Sequence, residues 1–140
     1  RALRLLPTRD GAGALEQRRM AAKDLLLAAL APTATARLAV ALATAPSGGR
    51  GDFRGVLEAF ALWLRDLLAI VEGVPETIAN LPDAEALSRI AQRAAIPPLG
   101  IGRALDRVYA AIDLASGNVN PQLVLADLLR AVRSDLLETA

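Results

Sequence analysis

Neither cysteine nor histidine occurs in the 140 residues. The first absence excludes disulfides and thiolate metal sites, and the second removes the commonest general base and zinc ligand. Aromatic residues are scarce, at 3%. Trp63 and Tyr109 stand too far apart to form a base-stacking platform, which needs several aromatics along a basic groove, so core or interface packing is expected of both. No apolar run approaches the ~18 residues of a membrane span, because Arg65 and Asp66 interrupt the longest one. β-Branched residues are few, and no block keeps the two-residue alternation of a half-buried strand. Charge of one sign is lacking too: 16 basic and 15 acidic residues leave a net charge of +1, and the signs are interspersed. Strong phosphate binding needs a concentrated basic face, so nucleic-acid binding by this chain alone is not expected.

Catalytic patterns are equally thin. The glycines around Gly48 are not followed by the lysine of a phosphate-binding loop. Asp83 and Glu85 sit close in sequence, but a catalytic pair needs a shared pocket, and a solvated helix start explains them better. The serines are Ser47, Ser88, Ser116 and Ser134, and without histidine their only candidate base is Lys23, the single lysine. The expectation is a non-catalytic protein with no cofactor and no metal.

What remains is helix. Hydrophobic residues make up 54% of the chain, much of it alanine and leucine. Proline and glycine punctuate it at Pro7 to Gly13, Pro32, Ala45 to Gly51, Gly73 to Pro82, Ile96 to Gly102 and Ser116 to Pro121. The blocks between predict an all-α bundle of about five or six helices. Their expected spans are 14–30, 35–44, 52–71, 83–93 with Asp83 as cap, 99–115, and one opening at Asn120 and Pro121 and running to about 137. Residues 1–12 read as the tail of an upstream helix followed by a hinge at Pro7, Gly11 and Gly13, leaving 13–140 as the domain. Arg1 is not a translation start and the single Met20 lies inside an expected helix, so a piece of a longer protein is expected. The arginine bias among the bases fits a GC-rich genome.

The 52–71 helix is the clearest. Phe53, Val56, Leu57, Phe60, Leu64, Leu67, Leu68 and Val71 share one face. Leu62, Trp63 and Ile70 fall outside it and make a second apolar surface, to be covered either by a neighbouring helix or by a partner subunit. Ile101, Leu105, Val108 and Ile112 line the next-to-last helix. Leu125, Leu128, Leu129, Val132 and Leu136 line the last, with Gln122, Asp127, Arg130, Arg133 and Ser134 mostly opposite.

Four segments carry a family resemblance. Asn118-Val119-Asn120-Pro121-Gln122-Leu123-Val124-Leu125-Ala126-Asp127-Leu128-Leu129 resembles the ending of the collar domain in bacterial DNA polymerase III clamp-loader subunits, especially delta-prime, with gamma/tau a close second. Trp63-Leu64-Arg65-Asp66-Leu67-Leu68 and Asn80-Leu81-Pro82-Asp83 are similar to a helix and the following connector of that domain. Arg1-Ala2-Leu3-Arg4-Leu5-Leu6 resembles the tail of the preceding AAA+ lid. The four occur in the family's order. The chain departs from the pattern at Ala126-Asp127, where an acidic residue often stands one place earlier, and in its Ala/Gly-rich connector around Gly48, which leaves delta-prime and gamma/tau both open.

The resemblance implies a non-catalytic oligomerisation domain for DNA replication. It would join other clamp-loader subunits in a collar that holds AAA+ modules, and would meet DNA only through that complex, with ATP chemistry in other domains. It implies structural roles for Asn118, Asn120 and Pro121, closing one helix and capping the next. Arg65 matches the family's Arg-Asp pair and joins Leu62, Trp63 and Ile70 as the candidate subunit interface. The alternatives are a helical nucleic-acid-binding domain using Arg18, Arg19, Arg103 and Arg107, or a generic helical adaptor. A cytoplasmic protein with no membrane partner is expected.

Overall fold

A computed structural model describes residues 9–44 and 50–138. The chain is all-helical, with six helices among the described residues: α1 Arg9–Ala29, α2 Ala34–Thr44, α3 Arg50–Glu72, α4 Ala84–Ala94, α5 Pro98–Ala115 and α6 Pro121–Leu137. Two short 3-10 turns, Pro75–Thr77 and Leu81–Asp83, lie between α3 and α4.

α3 is the central element and packs against α1, α4 and α5, while α6 packs against α5, α2 and α1. The reason is the breadth of the apolar surface on α3. Phe53, Leu57, Phe60, Leu64 and Leu67 are completely or almost completely buried, and no single neighbour could cover so wide a stripe. α5 contributes Ile101, Ala104 and Val108, α6 contributes Leu125, Leu129 and Val132, and α1 contributes Ala22, Leu25 and Leu26 to one continuous core. Burying each leucine or phenylalanine stabilises the fold by about 1.5–3 kcal/mol before ordering costs. The small residues Ala22, Ala29 and Ala104 are fully buried as well, which lets the helices approach closely.

Polar contacts fix how the helices meet. The Ala31 carbonyl, just past the end of α1, accepts hydrogen bonds from Arg37 of α2 (3.2 Å) and from Arg133 of α6. Cations at a helix C-terminus also oppose its negative dipole end, so one carbonyl ties three helices together. Between α5 and α6, the Arg107 guanidinium pairs with both carboxylate oxygens of Asp135, whose side chain is almost wholly buried. That pairing raises the Arg107 pKa further above its ordinary value.

Helix ends follow local chemistry. α3 stops where Gly73 takes a left-handed conformation (φ 80°), and Val74 N donates to Ala69 O at 2.8 Å. α4 ends in the same way at Ala95 (φ 51°), with Ile96 N donating to Ala91 O. These six-to-one bonds satisfy carbonyls that the helix leaves free. Gly100 sits where a Cβ would come within 2.1 Å of the Asp135 carbonyl oxygen, so the start of α5 and the end of α6 touch backbone to backbone.

Two expectations need correction. The hinge at Gly11 and Gly13 is not a break, since α1 begins at Arg9 and runs through both. Each glycine costs a helix about 1 kcal/mol, but extending an existing helix adds a backbone hydrogen bond per residue, and the anchored part of α1 supplies the nucleus. The rest of the expected lid tail, residues 1–8, and the Ala/Gly-rich connector at 45–49 lie outside the described residues. The second correction concerns Asp83, which precedes α4 but makes no capping bond with its side chain. Its carboxylate is engaged elsewhere.

Candidate interaction surface

The expected site residues fall in two places, the middle of α3 and the start of α6. At α6 the sequence reading and the structure agree on Asn120. Its side-chain oxygen accepts from Gln122 N (2.9 Å) and Leu123 N (3.4 Å), and Pro121 occupies the first helical position. Such a cap contributes about 1 kcal/mol. Asn118 is exposed beyond α5. The closing bonds of α5 come from its neighbours instead: Gly117 N donates to Leu114 O at 2.9 Å, and Ser116 Oγ to Asp113 O at 2.9 Å.

In the middle of α3 the four candidate interface residues separate. Leu62 and Arg65 are exposed, Ile70 is half-buried against the core, and Trp63 is only 1% exposed. Trp63 is therefore a correction, because it packs inside the chain. α1 lies over it, the indole Nε1 donates to the Arg19 carbonyl at 3.0 Å, and the cationic groups of Arg19 and Lys23 stand 5.6 and 5.9 Å from the ring centroid. The second apolar surface of α3 is met, at this residue, by a neighbouring helix.

Around Trp63 lies a charged cluster that sequence reasoning missed. Asp83 receives Arg19 Nη1 and Lys23 Nζ, each at 2.8 Å, and Arg19 also holds Glu16 through two 3.0 Å bonds. The hydrogen bond from Lys23, then that from Arg19, keeps the Asp83 carboxyl below its ordinary range. The Arg19 guanidinium in turn lowers the pKa of Glu16, while Glu16 and then Asp83 raise that of Arg19. One turn away, Asp66 is buried at 2% exposure and accepts from Ala79 N (2.8 Å), Asn80 N (2.7 Å) and Asn80 Nδ2 (2.7 Å). Three donors on one carboxylate replace the water it lost on burial. Only Asn80 Nδ2 is itself a side-chain group, so amino-acid pattern gave little sign of this contact.

Of the four arginines considered for phosphate, three face carboxylates of the chain: Arg18 reaches Asp52, Arg19 reaches Glu16 and Asp83, and Arg107 reaches Asp135. Arg103 is exposed on α5. No metal-binding group of acidic residues occurs among the described residues, and no described helix is long and apolar enough to cross a membrane.

Apolar side chains remain on the outside. Leu114 and Leu123 are 54% and 68% exposed and line, with Ala111, Val124 and Leu128, a groove between α5 and α6. Leu15 and Leu62 line a second groove between α1 and α3, and Leu27 overlooks a third between α1 and α2. No family model, curated protein or solved structure matches the chain.

Proposed function

We propose that the chain is a non-catalytic oligomerisation domain of a DNA polymerase III clamp-loader subunit, delta-prime-like, which holds its neighbours in a collar while other domains carry out the ATP chemistry. One observation carries the reading. Two segments that resemble the collar domain at separate places in the sequence are bonded to each other in space. Asp66 of the Trp63–Leu68 segment holds Asn80 of the Asn80–Asp83 segment. Arg19, whose carbonyl accepts from Trp63, also pairs with Asp83. Two of the four resembling segments are thus joined directly, and Arg19 of α1 links them a second time.

The outer surface is compatible with such a role. Several exposed leucines lie beside small-residue grooves, and apolar surface of that kind is covered by protein partners in assembled complexes. Mixed charge around the grooves favours orientation and partner choice over raw affinity.

The test is co-purification of the parent protein with the remaining clamp-loader subunits. A stoichiometric complex is expected, and a parent that stays outside it sinks the proposal. The sequence upstream of Arg1 separates the two subunit types: an AAA+ module without a working nucleotide loop favours delta-prime, and an intact loop favours gamma/tau.

A further inference from the structure

The connector between α3 and α4, residues 73–83, crosses the outer face of α3 with little apolar attachment. Among its described side chains only Asn80 is buried, Ile78 and Asp83 are half-buried, and Val74 and Leu81 are exposed. Two carboxylates hold it instead. Asp66, on α3, grips the backbone of Ala79 and Asn80 and the side chain of Asn80. At the far end Asp83 is gripped by Arg19 and Lys23 of α1. The near end is the turn at Gly73, where the left-handed backbone (φ 80°) suits a glycine hinge.

From this arrangement we infer that residues 73–83 form a strap that opens as a unit while the bundle stays folded, with Asp66 as its principal clasp. Local opening needs segments with few buried apolar contacts, and this connector has fewer than the helices it joins. Opening has a structural consequence. Val74 and Thr77 wall one groove beside Arg65, and Ala79 and Asn80 wall another beside Leu62. With the strap lifted, both walls go and the two grooves join along the outer face of α3. That face therefore exists in a divided and a continuous state, whatever larger assembly the chain belongs to.

Amide hydrogen exchange on the full chain, comparing the unaltered protein with Asp66→Asn, tests the strap. Asparagine keeps the size of the side chain but loses the charge and one acceptor. Exchange at Ala79 and Asn80 is expected to quicken by roughly 10- to 100-fold, the range for losing hydrogen bonds to a charged group, while Val108 in α5 and Leu129 in α6 keep their rates. Equal acceleration at all four amides overturns the inference, because Asp66 would then support the whole bundle. Unchanged rates at Ala79 and Asn80 overturn it as well. If the variant does not fold, the unaltered chain decides in low urea. Ala79 and Asn80 should exchange ahead of Val108 and Leu129 with a shallower urea dependence, and identical behaviour rules the strap out.

Discussion

The bundle formed by α3, α5 and α6 and the connector at 73–83 are held by opposite kinds of contact. In the bundle, apolar side chains from distant parts of the sequence fill one core: Phe60, Val108 and Leu129 are fully buried. In the connector, polar groups meet at two points, Asp66 and Asp83, and apolar side chains such as Leu81 face outward. Apolar burial is non-directional and shared, so losing part of it weakens every helix at once. A hydrogen-bonded carboxylate acts only on the groups it touches. The contrast explains how one small chain can combine a cooperative body with a segment that opens separately.

The largest expected effect comes from breaking the shared core. Phe60→Ala should destabilise the chain by about 3–5 kcal/mol, the usual cost of removing a buried phenylalanine and leaving a cavity. Urea unfolding followed by circular dichroism measures it, and hydrogen exchange should quicken in α5 and α6 as well as in α3. A loss confined to α3 would contradict a single core.

Gly100→Ala tests a narrower dependence within the same body. The added methyl would meet the Asp135 carbonyl oxygen at 2.1 Å, and backbone cannot rotate away as a side chain can. Overpacking of this sort costs about 1–3 kcal/mol. A helix interior normally gains about 1 kcal/mol when alanine replaces glycine, so an unfolding midpoint that rises would show that α5 and α6 do not approach this closely.

How much of this was legible in the sequence differs between the two regions for the same reason. Periodicity reports which side chains must leave water, and it identified the buried face of α6 residue by residue, from Leu125 to Leu136, and the large buried residues of α5, Ile101, Leu105, Val108 and Ile112, while passing over the small ones, Gly100, Ala104, Ala111 and Ala115. It also placed Asn120 and Pro121, because capping is local chemistry. It could not reveal the partners of Asp66 and Asp83. Lys23 lies 60 residues from Asp83, and two of the three donors to Asp66 are backbone amides, the third being the side chain of Asn80, 14 residues away. Asp83 read as a helix cap since an aspartate before a helix commonly serves as one, but two cations within reach bind a carboxylate more strongly than neutral amides do. Trp63 lay outside the apolar stripe of α3 and so looked available to a partner, until α1 crossed over it.

Asp83→Asn probes the connector from its far end. The carboxyl has its pKa lowered in the fold by Lys23 and Arg19. A depressed carboxylate stabilises the fold above its unfolded pKa, near ~3.9, and the contribution disappears as the pH falls through the lower folded value. Asp83→Asn should therefore cost on the order of 1 kcal/mol at pH 7, an amount suited to a partly screened ion pair with good geometry. The gap between variant and unaltered chain should begin to narrow below about pH 4 and close as the pH falls through the lower folded value. Urea midpoints at both pH values decide it, and a gap independent of pH would mean that the charge on Asp83 does not hold the connector.

The smallest effect separates two turns that share one geometry. α3 and α4 both end with a left-handed residue and a six-to-one backbone bond, but α3 uses Gly73 and α4 uses Ala95. A Cβ in that conformation costs roughly 1–2 kcal/mol, while glycine has more freedom to lose from the unfolded chain, which offsets part of the gain. Ala95→Gly should accordingly stabilise the protein by about 0.5–1 kcal/mol, read as a higher urea midpoint with an unchanged slope. Gly73→Ala is the matched control and should lower the midpoint, because at φ 80° the new methyl meets strain even though nothing else stands within 4 Å of it. If both substitutions shift stability in the same direction, backbone conformation is not what distinguishes the two turns, and the ease of bending assigned to Gly73 at the base of the connector falls with it.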